Sequence, residues 1–461
     1  MVIIDEQTQL IKDTLGVQKI KENILYRPLS YIRDLKVDEG RVLLNLLSGE
    51  MIVVTEEEFS FLTKTSQIEN EIVKQYIEKW FLVPEETVDS NLSKQLVTVI
   101  NAINNIYTAP KLASFTILPT TDCNARCFYC YELGCEKKWM TEQTAMDVVD
   151  YIVAKKHDGE IKIRWFGGEP LYNSKAIDII CSELNKRGVQ FYSNMISNAF
   201  LFDDEMIDRA VDVWHLNRIQ ITIDGPEEQY NRIKAYVNPG CESPFKKVIH
   251  NVEYLLQKNV YISVRLNVDK HNVEQVFELA DYLLEKFSKY PNFFAYPNRL
   301  FDDTCKYKLQ KTYDEEAYLN QKIIELKLKF QKLLNFRTKY SRLIRFKDHC
   351  MADSDTSIMI LPDGKLGKCE HFINSNFIGS IYEDKIDFKM LNWFKKTTSV
   401  MPECDDCNLR PVCIYVKCCP AKRIRCNESE KETKEKNISL HMLEIYKLRR
   451  KGNEKEIEIE I

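Results

Sequence analysis

No apolar run in this chain approaches the roughly 20 residues needed to cross a bilayer. The first residues, Met1 to Glu6, place no basic segment ahead of a long apolar stretch, so no signal peptide is expected. Both absences predict a cytoplasmic protein without a membrane partner. An excess of positive charge is missing too. Against 69 Asp and Glu stand 65 Lys and Arg, a net charge of −4, which offers no electrostatic case for nucleic acid. Neither a GxSxG nucleophile turn nor a Walker-type phosphate loop occurs. What remains is a chain of 461 residues, 44% hydrophobic and 29% charged, the composition of a globular protein of two to four units.

Cysteine is abundant, at 15 residues. A cytoplasmic chain does not keep a disulfide framework, so the thiols point to metal. They fall in two clusters, 123–135 and 350–426, with Cys181, Cys241 and Cys305 between. The first cluster opens with Cys123, Cys127 and Cys130 in a CxxxCxxC spacing, directly after the apolar run Ser114–Leu118. Three thiolates so close in sequence can hold three irons of a cubane and leave the fourth iron open to another ligand. A zinc site is the alternative for the same spacing.

This pattern, with the aromatic Tyr129 before its last cysteine, resembles the signature of the radical S-adenosylmethionine (radical SAM) family. The resemblance implies a 4Fe–4S cluster whose open iron takes the amino and carboxylate groups of SAM. One electron then cleaves SAM to a 5'-deoxyadenosyl radical. Further segments add to it. Gly167, Gly168, Glu169 and Pro170 resemble the family's GGEP motif, in which the glutamate meets the SAM ammonium. Ser197 and Asn198 are similar to the segment that meets the ribose or carboxylate, Asp224 lies in an S-L-D-G-P-like strand end, and Asn267 in an R-x-N-like strand. Lys234 departs from the family, which often has Arg there, and a lysine cannot make the same bidentate carboxylate contact.

Between 114 and about 300 the sequence alternates β-rich runs, beginning near Ser114, Ile161, Val189, Arg218, Tyr261 and Phe293, with amphipathic stretches such as Glu142–His157, Ser174–Arg187 and Pro244–Asn259. Six strand–helix units predict a parallel sheet with right-handed crossovers, closed partly into a (β/α)6 barrel of the TIM type. The cysteine loop follows the first run. Glu169 follows the second, Ser197 and Asn198 end the third, Asp224 ends the fourth, and Asn267 lies late in the fifth. All therefore belong on the C-terminal rim, where such barrels keep functional residues. Tyr296 and Arg299, near the end of the sixth run, are candidates to face the cavity.

Residues 1–110 read as a small winged-helix-like α+β module. It has a hairpin over 41–54 with Ser48-Gly49 at the turn, helical stretches Glu56–Leu62 and Asn70–Lys79, and a short strand at 80–84. The module resembles, loosely, the recognition elements of peptide maturases, to whose sheet edge a leader peptide would add a strand; a plain structural cap is the alternative. The remaining boundaries are a barrel over 111–305, a bridging helical segment over 306–345, a cysteine-rich extension over 346–430, and a charged tail over 431–461.

The extension resembles the SPASM region of radical SAM peptide-modifying enzymes, which holds two auxiliary 4Fe–4S clusters. The resemblance assigns Cys350, Cys369 and Cys418 to one and Cys404, Cys407, Cys413 and Cys426 to the other. Cys419 can replace Cys418, and zinc is the rival metal. With only three thiolates the first auxiliary cluster would leave an iron open, unless His349 or His371 fills it.

The expected function is a radical SAM/SPASM enzyme that modifies a ribosomally made precursor peptide, by a cross-link that could be a thioether, with flavodoxin or ferredoxin as electron donor. A sulfatase-type maturase that oxidises a cysteine or serine is the second enzymatic reading, and a non-catalytic zinc or iron–sulfur scaffold that binds peptides is the rival from another class.

Overall fold

The computed structural model describes residues 15–62, 71–95, 111–240, 242–300, 313–330, 351–352, 354–395 and 407–411, and nine positions between 431 and 447. It resolves into two compact units. One comprises residues 1–108, 338–354 and 393–461, the other 109–337 and 355–392.

In the first unit β1 (Tyr26–Pro28), β2 (Ile32–Val37), β3 (Gly40–Asn45) and β4 (Met51–Val54) precede helices α1 (Glu56–Leu62) and α2 (Glu71–Glu78) and strand β5 (Leu82–Pro84). The three strands β2, β3 and β4 form one antiparallel sheet, and β1 pairs with β5. The hairpin expected over 41–54 is β3–β4. Its loop is held by the buried Asn45, whose side-chain oxygen accepts from Leu47 N at 2.9 Å and whose amide donates to Trp80 O at 2.9 Å. Gly49 takes φ +78, which a glycine adopts without strain. Arg27 grips Asp89 through both terminal nitrogens, at 2.8 and 3.2 Å, and Ser30 N donates to the same carboxylate at 2.8 Å. The apolar face of this sheet, Val42, Leu44, Leu46 and Met51, packs with Leu409 and with Ile438, Met442 and Ile445. Those last three recur at helical spacing and give the tail a buried stripe.

The second unit carries the barrel. Strands β6 (Ser114–Ile117), β7 (Ile161–Trp165), β8 (Phe191–Ser197), β9 (Leu216–Thr222), β10 (Tyr261–Val268) and β11 (Phe293–Arg299) lie in sequence order, each parallel to the next. Helices α3 (Glu142–Lys155), α4 (Ser174–Lys186), α5 (Asp204–Asp212), α6 (Glu227–Lys234), α7 (Pro244–Gln257), α8 (Val273–Phe287) and α9 (Tyr313–Phe330) connect or follow them. Period-2 burial marks the sheet: Ile161, Ile163 and Trp165 are buried, while Lys162 and Arg164 between them are less so. Local chemistry starts the helices. Thr141 caps α3 by accepting from Thr144 N, and Asp203 caps α5 by accepting from Met206 N. A six-stranded parallel partial barrel is therefore what the chain forms.

Beyond the expected six strands, β12 (Ser357–Ile360) runs parallel to β6, and β13 (Lys365–Gly367) and β14 (Gly379–Ser380) extend the sheet antiparallel to nine strands. The cysteine-rich extension thus contributes strands to the barrel's own sheet at its first strand. None of the described helices is long and apolar enough to cross a membrane.

Candidate active site

The loop after β6 carries Cys123, Cys127 and Cys130, all half-buried and unpaired with one another. It is pinned from several directions. Thr120 and Thr121 hydroxyls donate to Lys138 O and Glu136 O at 2.7 and 2.6 Å. Arg126 N donates to Lys234 O at 2.8 Å, and Val237 N to Asn124 O at 2.9 Å. The segment after β7 presses against the same loop. A Cβ on Gly167, at φ +120, would lie 2.2 Å from Thr120 O, and one on Gly168 would lie 2.2 Å from Asp122 O. The close approach that these two glycines permit is therefore to the carbonyls of the cysteine loop.

Glu169 is fully buried and its carboxylate ties three segments together. It accepts from Ser197 Oγ at 2.7 Å, Asn198 N at 2.7 Å and Leu171 N at 3.1 Å. Burial pushes its carboxyl up to about 7, against the pull of those donors. Asn198 reaches on to Asn124, Nδ2 to Oδ1 at 2.8 Å, beside Cys123. The other side is built on Asp224, also buried, which accepts from Tyr129 Oη at 2.5 Å and pairs with Lys234 Nζ at 3.0 Å. Asn267 N contacts Asp224 at 3.4 Å, and Asn272 ties the carbonyls of Asp224 and Asn267 at 3.2 and 2.8 Å. Burial alone would lower the Lys234 ammonium, but Asp224, Tyr129 and Cys127 hold it well above its ordinary value.

Tyr129, Gly167, Gly168, Glu169, Ser197, Asn198, Asp224 and Asn267 are thus brought together around the cysteine loop on the C-terminal rim. Sequence reasoning raised Lys234 only as a departure and missed Asn124 and Asn272. No spacing signal marks those two, since their partners come from other loops.

Burial raises all three thiols, Cys123 to about 12 and Cys130 to about 11, with the Glu169 carboxylate adding to the effect at Cys123. Thiols in such a setting release their protons to a metal rather than to water. Among the described residues no three His, Cys, Asp or Glu side chains converge on one ion. A cubane asks instead for thiolates at separate corners, and the donor set fits it. Cys369 follows β13, and two residues on His371 packs on Tyr131 of the cysteine loop, ring centroids 4.8 Å apart. Cys407 packs half-buried against the first unit's core. Cys350, Cys404, Cys413, Cys418, Cys419 and Cys426 lie outside the described residues, as do His349, 331–345 of the bridging segment and 448–461 of the charged tail.

Comparisons with known proteins place this geometry. Residues 117–289 match the Radical SAM superfamily. The radical SAM cyclopropyl synthase TigE of Paramaledivibacter caminithermalis is 23% identical over 261 residues, 52% of this chain and 50% of that protein. The chain thus spans only about half of that relative. A Pyrococcus furiosus protein that modifies the cofactor of a tungsten-containing aldehyde ferredoxin oxidoreductase is 24% identical over 339 residues, 65% of this chain and 88% of its own. In fold, the chain resembles anSMEcpe, solved with AdoMet and a Cp18Cys peptide. The TM-score is 0.55 at 17% identity, over 75% of this chain and 100% of that one. The match to the Radical SAM superfamily thus covers residues 117–289, the segment that carries the cysteine loop and the rim residues.

Proposed function

We propose that the chain is a peptide maturase that removes a hydrogen from a residue of a ribosomally made precursor and cross-links it, a thioether being one product. One observation carries the reading. The cysteine loop, Glu169, Ser197, Asn198 and Asp224 meet on one rim of a partial barrel through direct hydrogen bonds. Cys123, Cys127 and Cys130 would hold the SAM-binding cluster. The eight rim residues would line the SAM side, and Lys234 would place positive charge beside Cys127. Bound together, the cluster and SAM supply a 5'-deoxyadenosyl radical. The chain's own part is to orient and to exclude water. Glu169 locks the ends of β7 and β8 against the loop, and the Asp224–Lys234 pair keeps Tyr129 packed beside Cys127.

In the same reading Cys350, Cys369 and Cys418 would hold one auxiliary cluster, and Cys404, Cys407, Cys413 and Cys426 the other. A leader would add a strand to β2 or β4, each paired on one side among the described residues. Flavodoxin or ferredoxin would supply the electron. Support for a peptide substrate comes from anSMEcpe, whose structure holds a peptide. The second reading is oxidation of a cysteine or serine in a folded protein's segment. Anaerobic, reconstituted and reduced protein should convert SAM to 5'-deoxyadenosine and methionine, and should lower the mass of a small precursor encoded beside it by two hydrogens per bond. Loss of that product with a leaderless core peptide supports the precursor reading; unchanged turnover moves the assignment to the second. Protein that binds one zinc and cleaves no SAM would be a scaffold.

A further inference from the structure

Four cations on the barrel strands have no carboxylate partner among the described residues. Lys162 and Arg164 lie on the face of β7 opposite the buried Ile161, Ile163 and Trp165. Arg218 shares its face of β9 with Gln220, and Arg265 its face of β10 with Ser263 and Asn267. Register sets Arg164 and Arg218 level, while Arg265, opposite Thr222, lies four residues nearer the rim than Tyr261, the partner of Arg218. Arg164 is opposite Asn194, and Asn194 opposite Arg218; Arg265 is opposite Tyr296.

Their charges act on shared neighbours. Arg164 and Arg218 both act on Lys162, whose ammonium burial and these two charges hold below its ordinary value. Arg265 and Arg218 both act on the Tyr296 hydroxyl, which donates to Gln220 Oε1 at 2.8 Å. Among the described residues none of the four cations forms an ion pair, and Arg265 spends only its Nε, on Asn267 Oδ1 at 2.9 Å. Between Arg164 and Arg218 sits the Oδ1 of Asn194, buried and without a hydrogen-bond partner. Folding sets these like charges near one another, Lys162, Arg164 and Arg265 half-buried and Arg218 exposed, at a cost that an entering anion relieves. Guanidinium forks suit a planar carboxylate.

We propose that this cationic lumen, below the rim that carries Glu169 and Asp224, binds a carboxylate of the peptide substrate, an aspartate or glutamate side chain, and thereby selects which neighbouring residue reaches the rim. This rests on the reading of the chain as a peptide maturase and adds to it the chemical class of the substrate.

The test uses the full reconstituted chain, held anaerobically, and a short fluorescein-labelled glycine peptide carrying two glutamates, with its glutamine twin. Anisotropy should show the acidic peptide binding at least about tenfold more tightly, with the difference shrinking as salt rises. In Arg164→Gln/Arg265→Gln the difference should fall to about twofold or less, while Arg164→Lys/Arg265→Lys should keep most of it. Phenylglyoxal modification of the unmodified chain, mapped by mass spectrometry, does not depend on any variant folding. The acidic peptide should slow the reaction at Arg164 and Arg265, and the glutamine twin should not. Equal binding of the two peptides, or no protection, overturns the proposal. Inorganic phosphate that displaces the acidic peptide at equal or lower concentration also overturns it, in favour of a phosphate-bearing ligand. SAM cleavage is read separately. Cleavage without acidic preference sinks the lumen site alone, whereas acidic preference in a chain that never cleaves SAM sinks the maturase reading and leaves the anion site.

Discussion

Lys234 Nζ lies 3.0 Å from Asp224 Oδ2, with the side chains 3% and 1% exposed. The pair joins the last turn of α6 to the end of β9, and Tyr129 of the cysteine loop donates to the same oxygen. An ion pair so deeply buried adds little net stability while both partners are present, but losing one leaves a charge with no counterion. Lys234→Met should therefore cost about 3–5 kcal/mol, and adding Asp224→Asn should recover much of the loss. Chemical denaturation of the four proteins of this cycle measures the coupling; simple additivity would contradict it.

Gly168 admits no side chain. A methyl group there would stand 2.2 Å from Asp122 O, a backbone atom with no rotamer to change. Gly168→Ala should displace the cysteine loop and lower iron incorporation at that site, read as absorbance near the charge-transfer band and as iron per chain. Full iron content in a folded Gly168→Ala protein would show that the loop tolerates the shift.

The three cubanes proposed above would hold about twelve irons per chain. Cys123→Ala/Cys127→Ala/Cys130→Ala should leave about eight and abolish SAM cleavage. Retention of all twelve would place no cluster on this loop.

Asp89 supplies a pH-dependent contribution away from the site. Burial pushes its carboxyl up, but the Arg27 fork and the Ser30 donors outweigh this and hold it below the usual range. An acid with a depressed folded-state value stabilises above its unfolded value and loses that contribution as the pH falls through the folded one. Asp89→Asn should thus cost about 1–3 kcal/mol at pH 7, and the gap from the parent should close below about pH 3.8. A gap that persists unchanged in acid would assign the effect to packing.

Much of the barrel could be read in advance because its cues are local. Alternation in Ile161–Trp165 and Phe191–Ser197 marks strands, and the cysteine spacing marks its loop. The rim rule then places Glu169, Ser197 and Asp224 on one side without any coordinates. It does not say what they touch. Glu169 accepts from Ser197 and Asn198 only because β7 and β8 pair in one register. Nor does it say that β12, some 240 residues from β6 in the chain, pairs with it.

Sequence alone, through periodicity and spacing that act over a few residues, decided the order of strands and helices, the three-cysteine loop and the glycines beside it. Tertiary structure alone decided which charges lie near one another. Lys234 meets Asp224 through the helix turn that follows β9, and Lys162, Arg164, Arg218 and Arg265 meet through three strands and their registers. Such encounters depend on chain segments far apart in sequence, and no local pattern carries that information.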